Sequence, residues 1–215
     1  MNYENYYEDV ENSAPVIEEK MGAKICRRDA AIIYFDRLGE KRILDVGCGP
    51  GFDAAYFANN GCEVHACDIS KRAIEYAKKH NPGPKYFVWD IQKGPCKEKF
   101  NGIYAFEVVE HIFDCDAFLK NISQSLKPNG IFVATVPNVL SLQNRIKTLF
   151  GMDDWFRDMY HVHFFSKNIL KKTLKANGFE ILCINGMGKI SFLGPKFAGS
   201  LFVVAGKQEL NKTKT

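Results

Sequence analysis

One stretch constrains this chain more than any other: Leu44-Asp45-Val46-Gly47-Cys48-Gly49-Pro50-Gly51, with three glycines at alternate positions. The short apolar run Arg42-Ile43-Leu44 leads into it, and the helix-compatible segment Phe52 to Asn60 follows and stops at Gly61. The pattern predicts a buried strand, a tight glycine turn and a helix. Glycine has no Cβ, so it reaches φ > 0 and lets a ligand approach the backbone. Such a loop falls at the carboxyl end of a strand, where open α/β sheets bind their ligands. What is missing narrows the ligand. A phosphate loop needs Gly-Lys-Ser/Thr after the turn, and here Gly51-Phe52-Asp53 follows. A dinucleotide fingerprint is spaced GxGxxG, whereas this one is GxGxG. Asp45 and Asp53 beside the loop would repel a pyrophosphate and suit a ligand with a positive centre and no phosphate.

The rest of the chain alternates strand and helix signals. Strands are expected at Arg42–Val46, Glu63–Cys67, Lys85–Trp89, Gly102–Phe106, Ile131–Val136, Glu180–Ile184 and Ser200–Ala205. Helices are expected over Ala30–Leu38, Phe52–Asn60, Lys71–Lys79, Asp116–Leu126 and Lys167–Ala176, and the segment Val16–Arg28 also reads as helical. Ser70 and Ser166 are natural N-caps, Asn177-Gly178 is a helix stop, and Lys127-Pro128-Asn129-Gly130 reads as a closing turn. This alternation predicts an α/β fold with a parallel, doubly wound sheet.

LDVGCGPG resembles the first motif of the class I S-adenosylmethionine-dependent methyltransferases, and the later motifs follow in order over roughly residues 40 to 206. The resemblance extends to the subgroup of ubiquinone-biosynthesis O-methyltransferases. It implies a Rossmann-like sheet of seven strands in the order 3-2-1-4-5-7-6, the last strand antiparallel, and S-adenosylmethionine as cofactor. It places Gly47, Gly49 and Gly51 on the methionine moiety beside Asp45, with Cys48 as a small filler. Asp68 ends the second strand, 19 residues after Gly49, where an acid accepts both ribose hydroxyls. Ile69 would pack on the adenine, Asp90 accept from its amino group, and the Ile91 N–H donate to a ring nitrogen. Residues 1–40 would form a helical lid, with Tyr6, Tyr7 and Arg28 as candidate cofactor contacts and Arg28 suited to the methionine carboxylate. Residues 41–208 would be the methyltransferase domain and 209–215 a frayed tail.

A second group of residues follows the fourth strand: Glu107, Glu110 and His111. Their spacing puts all three on one face if the segment is helical. Two carboxylates and an imidazole would hold Mg²⁺, Mn²⁺ or Zn²⁺, with His161 or His163 as a fourth ligand. The E-x-x-E-H arrangement is similar to that of small-RNA 2′-O-methyltransferases and ubiquinone-biosynthesis O-methyltransferases, which use a metal. The same residues admit two other readings, proton removal by His111 or His161 with Glu107 near the methyl, and simple packing of the loop. Residues 139–160 form an insertion. Its amphipathic run Leu140–Phe150 and the aromatics Trp155 and Phe156 read as a substrate lid, with contact to a membrane surface as the alternative.

At 215 residues and 46% hydrophobic content the chain has room for one substantial α/β domain. Seven cysteines form no CxxC pair, which argues against a disulfide framework or a zinc site and for reduced thiols in the cytoplasm. No apolar run is long enough to span a membrane, and the acidic, aromatic start is not a signal peptide. A net charge of +4 without aromatic-basic interleaving argues against a nucleic-acid partner. The expectation is O-methylation of a small-molecule acceptor: a metabolite, sugar or lipid precursor. RNA 2′-O-methylation and a non-catalytic S-adenosylmethionine-binding module are the alternatives, and a nicotinamide dehydrogenase is the weakest on glycine spacing. Oligomeric state leaves no trace in the sequence.

Overall fold

A computed structural model describes residues 25–152, 161–188 and 195–207. They fall into two compact units that meet in sequence at Asp90 and Ile91. The first holds α1 (Ile25–Phe35), β1 (Arg42–Val46), α2 (Phe52–Asn59), β2 (Glu63–Asp68), α3 (Lys71–His80) and β3 (Lys85–Val88). β1 and β2 pair in parallel from Arg42↔Glu63 to Val46↔Cys67, and β2 pairs in parallel with β3. Ile43 to Val46 are all buried, so β1 is covered on both faces, as parallel strands require. Phe35 and Phe57 meet edge to face at 5.4 Å and join α1 to α2 beneath it. Ser70 caps α3 by accepting from the Ala73 N–H.

The second unit holds β4 (Phe100–Phe106), α4 (Cys115–Ser125), β5 (Leu126–Pro137), α5 (Leu142–Leu149), α6 (Lys167–Ala176), β6 (Phe179–Met187) and β7 (Ser200–Lys207), with 3₁₀ turns at Ile91–Lys93 and Val109–His111. β4 and β5 are parallel, and β7 runs antiparallel to both β5 and β6. The sheet order is β3-β2-β1-β4-β5-β7-β6, the expected Rossmann-like order with its antiparallel last strand. Asp114, Ser141 and Ser166 cap α4, α5 and α6. Phe118, Phe132 and Phe179 form an aromatic cluster across α4, β5 and β6.

Several boundaries move, each for a physical reason. Lys127–Gly130 lies inside β5, but without partners in β4: Leu126 pairs with Phe100 and Ile131 with Gly102, and the residues between are taken up in a register shift with Asn129 at φ 60°. The turn composition is expressed as an irregularity of the strand. α1 ends at Phe35 rather than Leu38, tapering through 3₁₀-type bonds from the Arg37 and Leu38 N–H groups. The expected lid residues 1–24, with Tyr6 and Tyr7, and the aromatics Trp155 and Phe156 lie outside the described residues. Among the described residues no helix is long and apolar enough to cross a membrane.

Candidate active site

In the first unit the glycine loop is fixed by backbone chemistry at the carboxyl end of β1. The Gly47 and Cys48 N–H groups both donate to the Cys67 carbonyl, at 2.8 and 3.0 Å. Gly47, Gly49 and Gly51 have φ of 73°, 50° and 83°, a region that L side chains avoid. Asp68, buried at the end of β2, accepts from the Gly49 N–H and the Ser70 N–H, each at 2.9 Å. One carboxylate thus ties the loop to the start of α3. It retains acceptor capacity, because each oxygen carries more than one lone-pair site. The Trp89 N–H donates to the Asp68 carbonyl at 2.9 Å and brings the end of β3, with Asp90, to the same edge. Asp45 is buried, while Ile69 stands exposed beside Asp68.

The Cys48 thiol is pushed well above its usual range, first by burial and then by the negative charges of Asp45 and Asp68. It stays protonated and serves as a filler, as the sequence suggests. Asp53 behaves differently from the sequence reading. Arg27 reaches it at 2.5 Å and Arg28 also donates to it, both guanidiniums being buried. Burial by itself would raise the Asp53 carboxyl, but the two guanidiniums outweigh it and hold it below 3.8. Asp53 is therefore no bare negative charge: two cations on one carboxylate leave net positive charge. Arg28 also lies over the Tyr56 ring, 5.4 Å from its centroid.

Sequence reasoning missed Tyr86 and Asn81. The Tyr86 hydroxyl donates to the Asn81 carbonyl at 2.7 Å and lies 3.3 Å from the Gly51 carbonyl, and the Asn81 amide donates to the Pro50 carbonyl at 2.9 Å. Together they buttress the glycine loop. No local pattern marks them; the Asn81-Pro82-Gly83-Pro84 break was the nearest signal.

In the second unit, Glu110, His111 and His161 bring one ligating atom each to within 4.8 Å of one another. The Val162 and His163 N–H groups donate to the Glu110 carbonyl, at 2.9 and 3.1 Å, which draws the two segments together. The His111 and His161 ring centroids are 4.8 Å apart, and His111 Nε2 is 3.9 Å from Glu110 Oε1. Glu110 is almost fully buried, whereas His111 is partly open. Glu107 is not in this group. It sits at φ 56° with its N–H bonded to the Thr135 carbonyl, and only Val109–His111 forms a turn. The continuous helix that would align Glu107 with Glu110 and His111 does not exist. His163 also stands apart, its Nε2 3.3 Å from the Phe113 carbonyl. Ile91, the expected adenine contact, is buried in the first turn of this unit.

Fold and loop together define the class: a methyltransferase-domain family model matches residues 18–184, and the chain belongs to that family. Among curated relatives, the ubiquinone biosynthesis O-methyltransferase of Bradyrhizobium diazoefficiens is 35% identical over 122 residues, 52% of this chain and 48% of that protein. The protein of the same name from Pelagibacter ubique is 39% identical over 104 residues, 46% of this chain and 43% of its own length. The aligned regions thus span about half the length of these relatives. Solved structures share the fold. An S-adenosylmethionine-dependent methyltransferase of Thermotoga maritima superposes with TM-score 0.72 at 18% identity, covering 96% of this chain and 98% of that one. The magnesium protoporphyrin IX methyltransferase of Synechocystis, solved with bound S-adenosylhomocysteine, gives 0.66 at 16% identity, covering 89% and 84%.

Proposed function

We propose that the chain transfers the methyl group of S-adenosylmethionine to a hydroxyl oxygen of a small metabolite, sugar or lipid precursor. The observation that carries this reading is Asp68: an acid at the end of β2, bonded to Gly49 of the glycine loop at 2.9 Å, within a methyltransferase-domain match. The charges around the loop fit the cofactor. Its amino-acid end is a zwitterion, and the loop has buried Asp45 for an ammonium and the surplus charge of Arg27 and Arg28 for a carboxylate. Asp68 would hold the ribose and Ile69 the adenine face, with Asp90 and Ile91 on its polar edge and Glu107 near the methyl.

When bound, S-adenosylmethionine supplies an already activated methyl on a sulfonium. The chain's own residues then have two tasks, aligning the acceptor and removing its proton. His111 and His161 are the candidates for the second. The acceptor O–H bond breaks toward an imidazole nitrogen, the oxygen lone pair forms the new C–O bond, and the C–S bond electrons stay on sulfur. Glu110, His111 and His161 also fit a divalent ion, Mn²⁺ or Zn²⁺ ahead of Mg²⁺ because two of the three ligands are imidazoles. They would leave open positions for an acceptor hydroxyl, and the metal would lower its pKa. Cys48, Cys62, Cys67, Cys96, Cys115 and Cys183 are free thiols, which supports a reducing, cytoplasmic setting.

The test is transfer from methyl-labelled S-adenosylmethionine into a cell extract, with and without chelator. Label in small molecules or lipids supports the reading, and label in RNA overturns the acceptor class. Loss with chelator, restored by a divalent ion, assigns Glu110, His111 and His161 to metal. Transfer indifferent to chelator assigns the imidazoles to proton removal.

A further inference from the structure

The second unit carries an open groove of about 380 Å³ beside the histidine cluster. It is lined by residues 113–116, which lead into α4, and by residues 163–165, Ile169 and Thr173, which lead into and along α6. Backbone contacts tie it to the cluster. The His163 N–H donates to the Glu110 carbonyl at 3.1 Å, and Phe113 follows His111 by two residues. His163 Nε2 lies 3.3 Å from the Phe113 carbonyl. A carbonyl only accepts, so that nitrogen carries the hydrogen and holds the two lining segments together.

The lining is aromatic and acidic. Phe113 is 86% exposed and Phe164 41%, and Asp114 and Asp116 supply its carboxylates. Asp114 accepts from the Ala117 N–H at 2.9 Å and Asp116 from the Asn177 side-chain amide at 2.7 Å. Both donors are neutral, so both negative charges remain. The N-terminus of α4 adds about half a positive charge, too little to cancel two carboxylates. Cys115, between them in the chain, senses that balance: its thiol is pushed up to about 11, first by burial and then by the charges of Asp116 and Asp114. Lys120 on α4 and Lys167, Lys171 and Lys172 on α6 do not line the groove.

This combination selects a ligand by charge. The face of an aromatic ring is negative, so rings and carboxylates both attract an organic ammonium. An anion is repelled by both, and a neutral apolar body gains from the rings alone. A bare metal ion has a better site: among the described residues, the ligating atoms that converge are those of Glu110, His111 and His161.

We propose that this groove is the recognition subsite for an organic ammonium on an aromatic or apolar body. The binding stands by itself; what it recognises rests on the methyl-transfer reading. With that reading, the acceptor is a hydroxyl compound whose ammonium end lies in the groove while its hydroxyl meets the histidines.

The test is amide chemical-shift titration of the ¹⁵N-labelled full chain with three probes of one ring size: benzyltrimethylammonium, benzyl alcohol and phenylacetate. The expected shifts centre on residues 113–116 and 163–173. The ammonium should bind tighter than the alcohol by about fivefold or more at low salt, with phenylacetate weakest and the preference shrinking as salt is added. D114N/D116N keeps an acceptor oxygen for both hydrogen bonds, and Asn is a good N-cap, so the chain folds with the charges removed. Its ammonium affinity should fall to that of benzyl alcohol, whose own binding is unchanged, while Phe113→Ala weakens both probes. Equal binding of ammonium and alcohol, no binding by any probe, shifts centred elsewhere, or full ammonium affinity in D114N/D116N overturns the proposal. The acceptor is tested by the charge of the methyl-labelled products. Retention on a cation exchanger supports the assignment, and label confined to neutral or anionic products overturns it while leaving methyl transfer standing. Ammonium binding in a chain that does not bind S-adenosylmethionine would support the groove and overturn the methyl-transfer reading instead.

Discussion

Replacing Gly51 by alanine probes whether the glycine loop is held as described. Gly51 is the N-cap of α2 at φ 83°. A Cβ built there would lie 2.5 Å from the Tyr86 hydroxyl oxygen and 2.9 Å from the Ala77 Cβ. Two costs add. Holding an L-residue in the left-handed region costs about 1 kcal/mol, and the overlap in a packed site costs about 2 kcal/mol more. The sum, about 3 kcal/mol, lowers the thermal midpoint of a chain this size by roughly 6–12 °C. Two other glycines separate the costs. Gly61 has φ 81° with nothing within 4 Å of a Cβ, so Gly61→Ala carries the backbone cost alone, roughly 2–4 °C. Gly39 has neither a positive φ nor a neighbour, so Gly39→Ala leaves the midpoint nearly unchanged. The assay is thermal unfolding by circular dichroism at one pH, with Gly51→Ala repeated in a Tyr86→Phe background. Removing the hydroxyl takes away the closest overlap, so the two substitutions should be less than additive. The account is refuted if Gly51→Ala is no worse than Gly61→Ala.

The buried Arg27–Asp53–Arg28 group predicts an acid-side loss of stability. Asp53 has a lowered carboxyl in the folded chain, so its contribution is present above the unfolded value of 3.8 and fades as pH falls through the folded one. Asp53→Asn should destabilise the fold at pH 7 by about 3 kcal/mol or more, because two guanidiniums lose their charge partner, and lower the midpoint accordingly. It should also flatten the pH dependence below about pH 4, which unfolding scans from pH 7 to pH 3 would reveal. The Cys48 thiol, raised by burial and two carboxylates, should resist alkylation in the native chain at pH 8 and react once it is unfolded; rapid native labelling at Cys48 would contradict that environment. Direct titration of Mn²⁺ and Zn²⁺ into the chain should show one site that Glu110→Gln and His161→Ala each weaken and Glu107→Gln does not. Equal weakening by Glu107→Gln would return Glu107 to the ligand set.

What the sequence made legible was what local covalent geometry dictates. The alternate glycines and Asp68 act over one strand–turn–helix unit, and Ser70 and Ser166 cap helices three residues ahead, so each carries its own signal. Interactions across the fold carry little. Arg27 meets Asp53 from 26 residues away and nothing in either segment announces the other, whereas His161, 50 residues from His111, is one of two candidate partners, and only the fold separates it from His163. Tyr86 looks like any aromatic in a strand until the direction of its hydroxyl is known. The reading of Glu107, Glu110 and His111 as one helical face failed because the chain passes through a left-handed residue at Glu107. Lys127–Gly130 has the composition of a turn and takes up a register shift between Leu126 and Ile131, with Asn129 in the left-handed region.

The central claim is that Asp68 and the glycine loop hold S-adenosylmethionine, and calorimetric titration tests it most directly. The wild-type chain and Asp68→Asn, which keeps the size and one acceptor oxygen, would be titrated with S-adenosylmethionine under the same conditions. Losing a charged hydrogen-bond acceptor costs roughly 1.5–3 kcal/mol. The account therefore predicts an affinity lower by about tenfold or more in Asp68→Asn, in a chain that still folds but has a lowered thermal midpoint, because Asn can accept from only one of the Gly49 and Ser70 N–H groups. Equal affinity in the two proteins, or no binding by the wild type, would contradict it.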